Sequence, residues 1–317
     1  MFTLDFLGTS ASVPTAERGL PAILVSHDGR RFLVDCGEGT QRQLIRAGLG
    51  FRRIDTVLLT HGHLDHVLGL GGLAATFSEW GTQHALTVYG GRDALREARR
   101  LLEGVVLPEA GRALEAHFVP LAPGPVLADE ALRLTAFRVR HRETDSFGFV
   151  FEGRPRRHFD RTRAAALGLP ESTLRQRLAA GEAVRLADGR EIAPEAVLGP
   201  EEPGPRLAVI GDLETTEGLV EHVRGADALV IEATFAAADA ERARAYAHIT
   251  AAQATALARE ARVGALYLTH ISARYRGPEL EAEARTVFPA ARVVADLDRV
   301  TVTHRRGSPH GSSESDT

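Results

Sequence analysis

A chain of 317 residues, 44% hydrophobic and 25% charged, is long enough for one large domain or two smaller ones and reads as a water-soluble globular protein. At this size roughly 75% of the unfolded chain's surface is buried on folding, so the fold needs no disulfide or metal merely to hold together. The single cysteine, Cys36, excludes a disulfide scaffold and a cysteine-ligated zinc finger and fits a reducing compartment.

The net charge of −4 hides 38 arginines with no lysine and no asparagine. That bias reads as GC-rich coding, so the local placement of arginine carries more meaning than the total. Met1-Phe2-Thr3-Leu4-Asp5-Phe6 shows no basic stretch leading into an apolar one, and no segment approaches ~20 uncharged apolar residues; a cytoplasmic, non-membrane protein is expected.

In chain order, β-rich runs predict strands at 3–8, 31–35, 56–60, 86–89, 132–139, 146–151, 207–210, 228–232, 265–269 and 293–302. Helices are predicted between them at 41–47, 67–79, 92–103, 216–223, 238–262 and 278–287, which gives an α/β class. Two kinds of strand ending occur once in each half. An apolar strand ends in Asp at Phe32-Leu33-Val34-Asp35 and at Ala208-Val209-Ile210-Gly211-Asp212; another ends in Thr-His at Leu59-Thr60-His61 and Leu268-Thr269-His270. Residues 153–205 stand outside the pattern as an insertion rich in Arg, Gly, Pro and Ala, and the polar tail 305–317 is expected to be disordered.

The strongest chemical signal is His61-Gly62-His63-Leu64-Asp65-His66, directly after an apolar strand. Three histidines and an aspartate, with a glycine to permit a tight turn, offer the mixture of imidazole nitrogen and carboxylate oxygen that borderline transition metals take. The plainer alternative is a polar loop in which Asp65 caps a helix.

The segment resembles the HxHxDH motif of the metallo-β-lactamase superfamily, and the repeated strand endings fit its αββα sandwich of two similar halves. That resemblance implies a two-metal hydrolytic site. One metal would take His61, His63, His141 and Asp212; the other would take Asp65, His66, Asp212 and His270, with Asp212 bridging. Asp35 is expected to orient ligands rather than to bind.

Within the superfamily the chain is most similar to the ribonuclease Z family. The resemblance rests on Phe6-Leu7-Gly8-Thr9-Ser10-Ala11-Ser12-Val13-Pro14, Val34-Asp35-Cys36-Gly37-Glu38-Gly39-Thr40-Gln41, the metal motif, Glu232-Ala233-Thr234, His248-Ile249-Thr250 and Thr269-His270-Ile271-Ser272-Ala273-Arg274-Tyr275. It implies a zinc-dependent hydrolase domain over 1–304, with two Zn2+ per subunit and a homodimeric habit. The reaction implied is endonucleolytic removal of the 3′ trailer from precursor tRNA, by attack of metal-activated hydroxide on the phosphodiester.

Asp65 would serve as ligand and nearby base, His248 as proton donor to the leaving oxygen, and Glu232 as its tuning partner. Ser272 and Arg274 would suit a phosphate at the substrate's 3′ end. Ile231 stands where many members carry His. From Arg154 to Arg177 seven arginines face two acids, which would suit an RNA backbone through Arg156, Arg157, Arg175 and Arg177 in a protruding arm. The family's Gly-Pro in that arm is replaced by Gly168-Leu169-Pro170.

Two other readings stay open on sequence alone. A hydrolase of a small ester, such as a cyclic phosphodiester, aryl sulfate or lactam, would not need the insertion. A non-catalytic metal-containing RNA-binding protein would bind tRNA without cutting it.

Overall fold

The computed structural model describes residues 1–107 and 114–305. It divides into two compact units, one formed by Met1–Gly153 with the chain from Pro205 onward, the other by Arg154–Gly204. In the first unit the strands are β1 (Phe2–Gly8), β2 (Ala22–His27), β3 (Arg30–Val34), β4 (Ile54–Leu58), β5 (Ala85–Gly90), β6 (Glu115–Pro120), β7 (Gly124–Ala128), β8 (Leu132–Val139) and β9 (Ser146–Gly153). After the second unit, which holds β10 (Arg156–Phe159), β11 (Val184–Arg185), β12 (Glu191–Ile192) and β13 (Leu198–Glu202), come β14 (Arg206–Val209), β15 (Ala228–Glu232), β16 (Ala265–Thr269), β17 (Ala291–Val293) and β18 (Arg299–Val302).

Among the described residues the first unit contains two seven-stranded mixed sheets, ordered β18-β1-β2-β3-β4-β5-β6 and β17-β16-β15-β14-β9-β8-β7. Each has the same grammar. β3 to β6 run parallel and the rest of the first sheet antiparallel; β14 to β17 run parallel and the rest of the second antiparallel.

Side-chain alternation sorts each strand's apolar residues onto two faces. Phe2, Leu4 and Phe6 of β1, Phe32 and Val34 of β3, Phe147, Phe149 and Phe151 of β9, and Ala228 and Val230 of β15 meet in one core between the sheets. Leu33, Val57 and Leu59 point the other way, onto helices α1 (Thr40–Arg46), α3 (Gly69–Trp80, after the short α2, Leu64–Val67) and α4 (Arg92–Leu101). Leu229, Ile231, Leu266 and Leu268 likewise pack on Leu219 and Val223 and on the apolar faces of Ala251–Glu260 and Gly277–Val287. Three stacked cores mean four layers, αββα. Strands buried on both faces read as nearly unbroken apolar runs, which is why their positions stand out in the sequence.

Several expectations are corrected. The helix expected at 238–262 is two, Ala240–Ala245 and Ala251–Glu260. Between them Ala247 takes a left-handed φ of 59°, and Thr250 and Gln253 form a reciprocal capping box that starts the second helix. The strand expected at 293–302 is β17 and β18, which lie in opposite sheets on either side of a turn where Asp298 accepts the Ala295 N–H and Leu297 has a φ of 68°. The helix at 216–223 shortens to Val220–Val223. Strands β2, β6 and β7, and β10 to β13 of the second unit, form where the sequence predicts none, and most of the expected tail falls on residues 306–317, outside the described residues. No helix among the described residues is long and apolar enough to cross a membrane.

The second unit has its own small core of Ala164, Leu169, Leu178, Val184, Ile192 and Val197. Its charge differs from the expectation set by the stretch from Arg154 to Arg177. Over Arg154–Gly204 nine arginines accompany eight acids, so the unit is close to neutral. Arg157 pairs with Glu195 at 3.1 Å, Arg175 with Glu171 at 3.2 Å and Arg177 with Glu182 at 2.8 Å, while Arg156 faces Glu202 across the β10–β13 pair.

Phe151, fully buried between the sheets, meets Phe2 and Phe32 edge-on at centroid distances of 6.1 and 5.7 Å. Phe151→Ala should lower the unfolding free energy by about 3–5 kcal/mol, read from denaturant titration. A loss under about 1 kcal/mol would contradict this account of the core.

Candidate metal centre

The polar ends of the strands converge at one edge of the sandwich. His61 follows β4, Asp212 follows β14, His141 follows β8 and His270 follows β16. The loop after β4 then turns into α2, which presents Asp65 and His66 from its single turn. Gly62 serves this packing through close approach rather than through a left-handed turn, since a Cβ there would lie 2.9 Å from the Ala94 backbone nitrogen of α4.

The donor atoms form a group of His61, His63, His141 and Asp212 and a group of Asp65, His66 and His270, with Asp212 also drawn together with His248 and His270. In the first, His61 Nε2 lies 2.9 Å from His63 Nδ1 and 3.8 Å from Asp212 Oδ2, and His141 Nε2 lies 3.3 Å from His63 Nδ1 and 3.9 Å from the same oxygen. In the second, His66 Nε2 lies 3.6 Å from Asp65 Oδ2 and 3.4 Å from Asp212 Oδ1, and His270 Nε2 lies 3.7 and 3.2 Å from those oxygens. Ligands on one small tetrahedral cation sit about 3.3 Å apart, so these spacings fit. One carboxylate oxygen of Asp212 faces each group.

Hydrogen bonds set the imidazoles for ligation. Thr60 Oγ1 donates to Asp35 Oδ2 at 2.8 Å and accepts from His61 Nδ1 at 3.0 Å. His66 Nδ1 donates to Asp35 Oδ2 at 2.8 Å, and His141 Nδ1 to the Ala247 carbonyl at 2.9 Å. In the other half Thr234 Oγ1 donates to Glu232 Oε2 and accepts from His270 Nδ1 at 2.9 Å. Each of these rings turns its Nε2 into the centre, the arrangement metal-ligating histidines adopt.

The residues fit a cation on two further counts. His66 Nε2, Asp212 Oδ1 and His270 Nε2 are buried without a hydrogen-bond partner, a costly state for three atoms of the second group unless a positive ion meets them. Asp65 and Asp212 also lack an arginine partner among the described residues. Burial works against the charge of both carboxylates, yet His270 and His66 hold Asp212 well below the usual carboxylate range, and the nearness of the His270 and His66 rings lowers Asp65. Burial keeps His61 and His63 below the ordinary imidazole value and pushes His141 down to about 4, so these rings offer lone pairs at neutral pH.

Beside the two groups sits His248, which belongs to the turn before Thr250 and not to a helix surface. Its Nδ1 donates to Glu232 Oε1 at 3.0 Å and lies 3.9 Å from Asp212 Oδ2. Glu232 is fully buried and also accepts from the Leu213 N–H at 2.8 Å. Burial opposes a charge on His248, but Glu232 and then Asp212 push it up to about 9.

His248, Ser272 and Arg274 line a cleft of about 230 Å³ together with Arg142 and Arg242. These two arginines carry no motif of their own; only the fold brings them to His248. Ser272 Oγ accepts from the Arg274 backbone N–H at 3.4 Å, and no acid among the described residues lines the cleft. The arm residues Arg156, Arg157, Arg175 and Arg177 belong to the separate compact unit.

Asp35 is the common acceptor for His66 and Thr60, and Asp35→Asn should weaken metal binding about 10- to 100-fold, measured by competition with a chromophoric chelator. Unchanged affinity would show that these hydrogen bonds do not set the ligands.

Residues 18–134 match the model of the Metallo-beta-lactamase superfamily. The Ribonuclease Z of Bradyrhizobium diazoefficiens is 53% identical over 303 residues, covering 95% of this chain and 100% of that one. The Ribonuclease Z of Methanosarcina acetivorans is 36% identical over 309 residues, covering 96% and 99%. The crystal structure of human tRNase Z, short form, shares the fold with a TM-score of 0.67 at 24% identity, covering 95% of this chain and 99% of that one. Matched end to end at such identity, and with a His/Asp cluster built for a metal at its strand ends, the chain belongs to the ribonuclease Z family of the metallo-β-lactamase superfamily.

Proposed function

We propose that this protein is an endoribonuclease that cuts precursor tRNA after the discriminator base, leaving a 3′-hydroxyl on the tRNA and a 5′-phosphate on the trailer. The observation that carries the reading is the buried Glu232–His248 pair set against the metal-ligand groups, because it supplies what hydrolysis of a phosphodiester needs besides a cation: a proton for the leaving oxygen.

His61, His63, His141 and Asp212 would hold one zinc ion, and Asp65, His66, Asp212 and His270 a second. Imidazole and carboxylate donors in fours suit zinc. Bound there, the ions would make water a nucleophile at neutral pH and neutralise the phosphodiester's charge. Asp65, which accepts from the Ser12 N–H at 3.1 Å, would orient that water and take its proton. His248 gives a proton to the leaving 3′-oxygen; with Nδ1 committed to Glu232, the proton leaves from Nε2, and Glu232 stabilises the imidazolium until it does. Arg142, Arg242 and Arg274 make the adjoining cleft a place for phosphate, with Ser272 as a hydroxyl partner.

The arm at 153–205 is proposed to touch the body of the tRNA. Arg157, Arg175 and Arg177 already sit on neighbouring acids, so they would meet phosphates by exchanging partners and contribute less than bare cations. A cytoplasmic homodimer belongs to the same reading.

Gel analysis of a 3′-extended precursor tRNA should show one cut, lost on chelation and restored by zinc. His248→Ala should slow it about 10²- to 10⁴-fold with metal content unchanged. Metal-loaded protein that leaves the precursor intact would overturn the reading.

A further inference from the structure

The cleft beside His248 contains one feature the chemistry above does not use. Tyr246 is 53% exposed, unusual for a large ring in a fold whose other described tyrosines are at least half covered. It lies nearly parallel to Phe235, at 21° and a centroid distance of 6.3 Å, and Phe235 in turn lies 6.2 Å from the His248 ring. Phe235 is buried, so Tyr246 rests on a fixed backing.

The backbone of Tyr246 is pinned by the two arginines that share the cleft. Its N–H donates to the Arg242 carbonyl at 3.0 Å, and its own carbonyl accepts from Arg142 Nη2 at 3.3 Å. Arg142 has no carboxylate partner for its guanidinium among the described residues, and Arg242 approaches Asp239 only at 3.7 Å. An exposed aromatic ring in a cleft that Arg142, Arg242 and Arg274 also line, with no acid lining it among the described residues, is the chemistry that takes a nucleotide: a base on the ring and a phosphate on the arginines.

The direction of the reaction says which nucleotide. His248 delivers its proton to the leaving 3′-oxygen, so the nucleotide bearing that oxygen has to lie against His248, and its base then falls in the cleft with Tyr246. We propose that Tyr246 is the stacking platform for the discriminator base, with Arg142 and Arg242 holding the phosphate on that nucleotide's 5′ side. This inference rests on the trailer-removal reading and adds a specificity-determining residue to it. Stacking tolerates any base, so the platform positions the cut by the presence of a base rather than by its identity.

The test is cleavage at subsaturating substrate of two 3′-extended precursor tRNAs, one intact and one abasic at the discriminator position, by the zinc-loaded parent, Tyr246→Ala and Tyr246→Phe. Removing the ring or removing the base should each lower kcat/KM about 10- to 100-fold. The two losses should not multiply when combined, and Tyr246→Phe should stay close to the parent. Tyr246→Ala that cuts the intact RNA at the parent rate, or losses that multiply, would overturn the platform while leaving the trailer-removal reading in place. A zinc-loaded parent that cuts neither RNA would overturn both.

Discussion

The Asp212 carboxylate is the constraint on which the rest of the molecule depends. One oxygen faces His61 and His141, the other faces His66 and His270, and the residue itself is buried. A buried anion ringed by imidazoles is tolerable only if positive charge is delivered to it, and the ligands that deliver it come from strand ends of both sheets. The two sheets must therefore stop at the same level. Gly211 shows how tight the closure is, since a Cβ there would lie 2.7 Å from Thr60 Oγ1, the hydroxyl that orients His61.

Support for the ligands is built twice from the same parts. Asp35, Thr60 and His61 form a carboxylate–hydroxyl–imidazole relay in the first half; Glu232, Thr234 and His270 form another in the second. The halves then diverge. Asp35 spends its remaining capacity on His66, a ligand, whereas Glu232 turns its other oxygen to His248 and the Leu213 N–H. One relay thus supports a ring of the second ligand group, while its counterpart holds His248, the proton donor of the proposed reaction.

Much of this was legible in the sequence because parallel strands buried on both faces leave unbroken apolar runs, and the polar residue ending each run is conspicuous. Asp35, His61, Asp212 and His270 were found that way, and the structure brings all four to one centre. What failed did so for local reasons. The stretch at 238–262 is rich enough in alanine to read as one helix, although Thr250 and Gln253 already carried a capping-box signal. Missing that break placed His248 on a helix instead of in the turn that aims it at Glu232.

The run at 293–302 hid a turn at 294–298 because apolar residues continue on both sides of it. Arg142, Arg242 and Tyr246 carry no motif, and only the folded chain sets them around His248. The arm's basicity is confined to 154–177; the acids that pair with Arg177 and Arg157 lie further along, at Glu182 and Glu195.

The account stands on a bridged pair of cations, and anomalous diffraction from crystals of the zinc-loaded protein addresses that most directly. It predicts two peaks about 3.5–4 Å apart, one against each oxygen of Asp212. A single peak, or two peaks of which neither touches Asp212, would contradict it.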